Sequence, residues 1–287
     1  MTIAACYLST GAVVLGADST TTVQVYNRTG TASTFRHFNY GQKIFEIGDP
    51  GAVALLTWGL ASLQTTSYRT LIARLADDLD KNPPASVADV ADRWRKLFGD
   101  AYRSDFTALM QTAKDLKAKG TARTPAETKH LADLSGLSGG FCIGGSLSDR
   151  VPAAVQITFD LINGVGASAA LPIGGAMFWG WPNATSRLIY GMDDRIFEEI
   201  LASGQWKGDR KSLLAIVQPH ALGQAANLPL REAVDFLYAS IYSTIKAMKF
   251  SHFPLICGGP IEIATITADR PFRWVRHKGL AEAILSI

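Results

Sequence analysis

Apolar and polar positions alternate in blocks along this chain, and the blocks change period several times. Residues 2–8 and 12–17 are short, almost wholly apolar runs separated by Ser9-Thr10-Gly11, the pattern of a β-hairpin. Residues 20–40 are polar and β-branched around Asn27-Arg28-Thr29-Gly30, which predicts a second, projecting hairpin. Lys43-Ile-Phe-Glu-Ile and Val53-Ala-Leu-Leu-Thr read as two further strands around the turn Gly48-Asp49-Pro50-Gly51. After Gly59 the period lengthens to that of a helix. Leu63, Leu71, Leu75 and Leu79 predict one helix over 62–80, stopped by Asn82-Pro83-Pro84. Ser86 caps a second, long helix to about Lys119, with Val87, Val90, Trp94, Leu97, Phe98, Tyr102, Phe106, Leu109 and Leu116 facing inward and Gly99 interrupting it. Thr124-Pro125-Ala126-Glu127 opens a third, short helix.

From Gly139 the period returns to two. Phe141-Cys-Ile-Gly-Gly and Ala153–Phe159 form strands joined by Ser148-Asp149-Arg150. Pro172-Ile-Gly-Gly-Ala leads to helices predicted at about 186–203 and 229–249, and Pro260–Thr267 and Phe272–Val275 close the chain as strands. No internal repeat occurs. Strand runs separated by groups of helices favour two helix-covered sheets over a parallel βαβ winding.

Composition narrows the function classes. The chain has 287 residues, 47% hydrophobic and 18% charged, which excludes a disordered chain and allows one or two domains. Its 28 basic and 25 acidic residues leave a net charge of +3, with no basic block, so no nucleic-acid partner is expected. Three scattered cysteines, Cys6, Cys142 and Cys257, argue for a reducing compartment rather than a disulfide framework. The longest uncharged run, Leu161 to Ser186, is broken by Gly and Pro, and the N-terminus lacks a basic n-region. A cytoplasmic protein with no membrane partner is therefore the expectation.

The usual catalytic signatures are absent: no G-x-S-x-G, no HExxH, no Walker loop and no Cys/His metal spacing. No metal and no cofactor is expected, and the five histidines are scattered. What remains is Thr2. Removal of Met1 exposes a threonine whose α-amine, with a pKa of about 7.7–8.0, can act as base toward its own hydroxyl. Set against this is the plain reading of Met-Thr as an ordinary chain start.

Thr2 opens the first strand, and Gly11-Ala-Val-Val-Leu-Gly-Ala-Asp18-Ser19 follows with Asp18 sixteen positions after Thr2. Gln42-Lys43-Ile-Phe-Glu-Ile and Leu55-Leu-Thr-Trp-Gly59-Leu-Ala-Ser complete the order. This arrangement resembles the proteasome-type N-terminal-nucleophile (Ntn) hydrolases, that is, the proteasomal β subunits, the bacterial HslV peptidase and their homologues. The resemblance is best over residues 2–63 and recognisable at 139–180 and 229–275. It implies an α+β, four-layer αββα Ntn-hydrolase sandwich. Residues 1–287 would form one domain, with an extra hairpin at about 20–40 and an enlarged helical insertion at about 64–135. It implies a threonine-type peptidase or amidohydrolase in which Thr2 is the nucleophile and its amine the base. Lys43 would lower the cost of ionising the hydroxyl, Asp18 would orient Lys43, and the Gly59 N–H would form the oxyanion hole. It further implies a peptide or amide substrate and assembly into a homo-oligomer, and leaves open an ATP-dependent unfoldase partner.

The chain also departs from the family. Ile173-Gly174-Gly175-Ala176 lacks the serine usual between two glycines, and Pro254-Leu-Ile-Cys257-Gly258-Gly259 lacks both the aspartate and the serine of the family motif. Cys257 or His252 is the candidate to stand in for them; the alternative for Cys257 is a buried core thiol. A narrow-specificity amidohydrolase, a peptide transferase and a non-catalytic assembly protein are the other readings.

Overall fold

The computed structural model describes residues 2–26, 33–48, 51–223, 226–252 and 255–279. Met1, the Asn27–Gly30 turn, Asp49 and Pro50 lie outside the described residues. Two antiparallel hairpins open the chain. β1 (Ile3–Leu8) and β2 (Ala12–Ala17) turn through Ser9, whose hydroxyl accepts the Ala12 N–H at 3.1 Å. β3 (Thr21–Tyr26) and β4 (Ser33–Phe38) pair as a separate two-stranded sheet. β5 (Ile44–Ile47) and β6 (Val53–Gly59) follow, then α1 (Tyr68–Lys81), α2 (Val87–Ala118) and α3 (Pro125–Leu134).

The chain returns to strands at β7 (Gly139–Ser146) and β8 (Pro152–Asp160), with short β9 (Gly164–Val165) and β10 (Ala169–Ala170) beside β8. β11 (Gly175–Gly180) leads into α4 (Asn183–Tyr190), α5 (Asp194–Ala202), α6 (Arg210–Val217) and α7 (Leu230–Lys249). β12 (Glu262–Thr267) and β13 (Arg270–Arg276) close the described chain.

The result is a mixed α/β protein with antiparallel sheets. One sheet runs β11-β1-β2-β12-β13 and the other β10-β8-β7-β6-β5. The pleat sends alternate side chains of each strand to different neighbours. Ala4, Cys6 and Leu8 of β1 pack with Val13 and Leu15 against Ala54, Leu56 and Cys142 of the second sheet. Ile3, Ala5 and Tyr7 pack instead against Leu237, Ile241 and Met248 of α7. On the second sheet, Val53 and Leu55 face α1 and α2 together with Phe141, Val155, Ile157 and Phe159. Each central strand is thus buried on both faces, which is why β1 and β2 read as unbroken apolar runs.

α2 continues through Gly99 because its inward stripe is aromatic. Phe98 lies 4.6 Å from Phe141 and 4.7 Å from Phe159, and Trp94 lies 5.1 Å from Phe141, centroid to centroid. Three expectations need adjustment. The helix predicted over 62–80 begins only at Tyr68, where the Ser67 hydroxyl accepts the Thr70 N–H at 3.0 Å. The helix predicted over 186–203 is two helices: Gly191 turns the chain at a φ of 79°, and the Asp193 carboxylate caps α5 through the Ile196 N–H. The glycine-rich stretch after Pro172 enters strand β11, and α6 was not anticipated. Among the described residues no helix is long and apolar enough to cross a membrane.

Candidate active site

Asp18 directly follows β2, and the chain brings four donors to its fully buried carboxylate. Oδ1 accepts the Ile3 N–H at 3.1 Å and the Lys43 ammonium at 2.5 Å. Oδ2 accepts the Gly258 N–H at 2.8 Å and the Thr20 N–H at 3.2 Å. A buried carboxylate is costly unless its lone pairs are met, and here donors from four separate segments meet them. The segment arriving at Gly258 is locked on the other side as well, because Ser19 N–H donates to Gly258 O at 3.0 Å.

The β1–β2 pairing sets Thr2 beside this carboxylate, because Ile3 N–H donates to Asp18 while Asp18 N–H returns to Ile3 O at 3.1 Å. Thr2 is 3% exposed and Lys43 5%, and both line one cleft of about 40 Å³. Gly59 lines it too, with Thr20, Thr57, Trp58 and Leu60. The structure therefore brings together all four residues singled out in the sequence, Thr2, Asp18, Lys43 and Gly59. Asp18 sits behind Lys43 rather than in the cleft wall. Thr57 N–H donates to Lys43 O at 2.9 Å, so Lys43, immediately ahead of β5, is pinned to the strand that ends at Gly59.

Gly59 is a necessary glycine. Its φ is +83°, and a Cβ there would stand 2.3 Å from Ser138 O and 2.5 Å from the Gly139 Cα. The position is exposed at the cleft and closed to any side chain.

The glycine pair Gly174-Gly175, where the family serine is missing, lies away from Thr2. Gly174 N–H donates to Leu8 O at 2.8 Å, and Gly175 pairs with Leu8, at the far end of β1 from Thr2. β11 then runs antiparallel along β1, so the residues beside Thr2 are Gly180 and Trp181. Trp181 N–H donates to Thr2 O at 2.8 Å, and a Cβ on Gly180 would meet that oxygen at 1.9 Å. Sequence reasoning missed this pair because the short strand Gly-Ala-Met-Phe-Trp-Gly gave no period. The usable signal was Gly180-Trp181-Pro182 immediately ahead of a helix.

Of the two candidate substitutes, His252 is exposed and Cys257 is buried. Burial pushes the Cys257 thiol up to about 12, and the Asp18 carboxylate pushes in the same direction. The thiol is therefore neutral and is no thiolate nucleophile at neutral pH. Among the described residues no group of three or more His, Cys, Asp or Glu side chains is placed to hold a metal ion.

No family model matches the chain, and no curated protein matches it. Among solved structures it is similar to two Anbu proteins of Hyphomicrobium sp. strain MC1. The Gly-1 mutant gives a TM-score of 0.46 at 12% identity, over 100% of this chain and 92% of that one. The other gives 0.47 at 14% identity, over 96% and 86%. At these values the likeness transfers no activity, substrate or residue role. The resemblance to proteasomal β subunits and HslV read from the sequence is corrected to this extent: both of these structures are Anbu proteins, and no family model places the chain with the former.

Proposed function

We propose that this protein is a threonine-type amide hydrolase that uses Thr2, once it carries a free α-amine, as its nucleophile. The observation that supports it is the Asp18 carboxylate, which holds Lys43 and the backbone next to Thr2 in one buried hydrogen-bond set facing the Gly59 cleft. In the reaction the α-amine takes the proton of the Thr2 hydroxyl as its oxygen attacks the amide carbonyl. The Lys43 ammonium stabilises the negative charge gathering on that oxygen. The Gly59 N–H donates to the oxyanion, a contact that elsewhere contributes about 2.7–4 kcal/mol. The tetrahedral species expels the amine leaving group, which receives the proton held by the α-amine, and leaves an ester on Thr2. Water, deprotonated by the same amine, then cleaves the ester.

This reading includes the finer architecture, a four-layer αββα sandwich of the N-terminal-nucleophile type. Residues 1–287 would act as one domain, with the 20–40 hairpin and the 64–135 helices as additions. It also includes self-association into a homo-oligomer. The small cleft favours a second, narrower version of the same chemistry: an amidohydrolase or transferase taking a compact acyl group. The experiment is a turnover screen of peptides and small amides with the wild type, Thr2→Ala and Lys43→Ala, with and without an added amine acceptor. Cleavage lost in both variants supports the reading, and acyl-amine products identify transfer. A chain that is inert throughout, with Thr2 unmodified by acylating reagents, favours a non-catalytic assembly protein.

A further inference from the structure

Behind the Asp18–Lys43 pair lies a second buried ion pair that the chemistry above does not use. Glu262 is fully buried, and in the β12–β2 register it stands opposite Ala17, next to Asp18. Its Oε2 accepts the Lys278 ammonium at 2.8 Å, and His277 Nδ1 lies 2.7 Å from its Oε1. Trp274 holds His277 in place by stacking at 4.2 Å. Lys278 Nζ also donates to Gly41 O at 3.0 Å and to Ser19 Oγ at 3.3 Å.

An ammonium has three protons, and this one has three acceptors, so its position is fully specified. The two acceptors other than Glu262 are telling. Ser19 directly follows Asp18, Gly41 lies two residues before Lys43, and Gly41 N–H donates to Ser19 O at 2.8 Å. Lys278 thus sits at the junction of the two segments that carry the buried pair. Burial holds its ammonium below the ordinary lysine range; Glu262 opposes that shift and the Lys43 cation adds to it.

We propose that Lys278, anchored by Glu262, is a positioning residue that sets the relative placement of Asp18 and Lys43 through Ser19 and Gly41. The proposal rests on Thr2, Asp18 and Lys43 being the reacting set. It makes the strap at 277–278, remote in sequence, part of what aims Lys43 at the Thr2 hydroxyl.

The test uses the full chain as wild type, Lys278→Met and Lys278→Arg, with two readouts. One is the rate of Thr2 acylation by a β-lactone as a function of reagent concentration. The other is the NMR signal of the Lys43 ammonium. Because misplacement of a catalytic group by about 1 Å can cost on the order of a hundredfold, Lys278→Met is expected to lower the maximal rate by about tenfold or more. The half-saturating concentration should change little, the Lys43 signal should broaden into exchange with water, and Lys278→Arg should recover most of both. Should the methionine variant fail to fold, Ser19→Ala removes one acceptor only and should give a smaller loss of the same kind. An unchanged maximal rate and an unchanged Lys43 signal in Lys278→Met would overturn the proposal. So would an arginine variant that loses as much as the methionine one. If the wild type is not acylated at all, the Thr2 reading has failed. The Lys43 signal then decides the positioning role alone: its loss in Lys278→Met supports that role and its persistence overturns it.

Discussion

At the scale of residues, the molecule is organised around the Asp18 carboxylate, whose two oxygens accept from Ile3, Thr20, Lys43 and Gly258. Lys43→Met removes the cation and leaves a buried carboxylate with backbone donors only. Breaking a buried pair in this way costs about 3–5 kcal/mol, so denaturant unfolding should show a loss of that order, whereas Asp18→Asn/Lys43→Met together should recover part of it. Cys257 makes a pH-dependent prediction. Its folded thiol stays protonated up to about 12 against an ordinary value of 9.0. The folded state therefore holds a proton that the unfolded chain releases, and this contribution is full below about pH 9 and declines as pH rises toward 12. Melting temperatures from pH 7 to 11 should fall less steeply in Cys257→Ala than in the wild type; equal slopes would contradict the assignment. Thr2 can be singled out from the sequence because a terminal threonine carries its own base, whereas Asp18, Lys43 and Gly59 are named only through the family resemblance. Gly180 and Trp181 left only the faint signal of Gly-Trp-Pro ahead of a helix, and Glu262 and Lys278 left none, because they reach the site by pairing with distant segments, as in the contact of Lys278 with Ser19.

At the scale of elements, Gly59 and Gly99 behave oppositely. Gly99 lies in the interior of α2, where a Cβ would meet Arg103 Nη1 and Val165 Cγ2 at 3.5 Å and Val165 Cβ at 3.8 Å, ordinary contact distances. Gly99→Ala should therefore stabilise the protein by about 0.5–1 kcal/mol through helix propensity, read as a higher denaturation midpoint. Gly59→Ala should instead destabilise it, since the left-handed φ and the Ser138 and Gly139 backbone both oppose a side chain. The same physics governs how much of the fold can be read from the sequence. α2 is legible because its aromatic stripe keeps helical spacing and Ser86 caps it, its hydroxyl accepting the Asp89 N–H at 3.2 Å. β1 and β2 are legible because burial on both faces makes them wholly apolar. β11 is not, because its glycines and mixed exposure give no period. The α4–α5 break is hidden because Gly191 and Asp193 sit within a stretch whose apolar spacing otherwise continues.

At the scale of the whole molecule, two antiparallel sheets meet at an interior lined by Cys6, Leu15, Leu56 and Cys142, with α2 on one sheet and α7 on the other. The stacked pair Trp58–Trp179, 4.5 Å apart, ties the sheets together just below the cleft. Phe98, which touches both Phe141 and Phe159, anchors α2 to its sheet, and Phe98→Ala should cost about 3–5 kcal/mol in chemical denaturation. A loss under about 1 kcal/mol would contradict the packing described, since even an Ile→Val trim in a core costs about that much. The proposed function rests on Thr2 with a free amine beside Lys43. The most direct measurement is adduct mapping by mass spectrometry after treating the native protein with an epoxyketone, which reacts with both the hydroxyl and the amine of a terminal threonine. The expected result is one adduct, on Thr2, in a chain that lacks Met1, and its loss in Thr2→Ala and Lys43→Ala. A chain that retains Met1, or an unmodified Thr2 at saturating reagent, would contradict it.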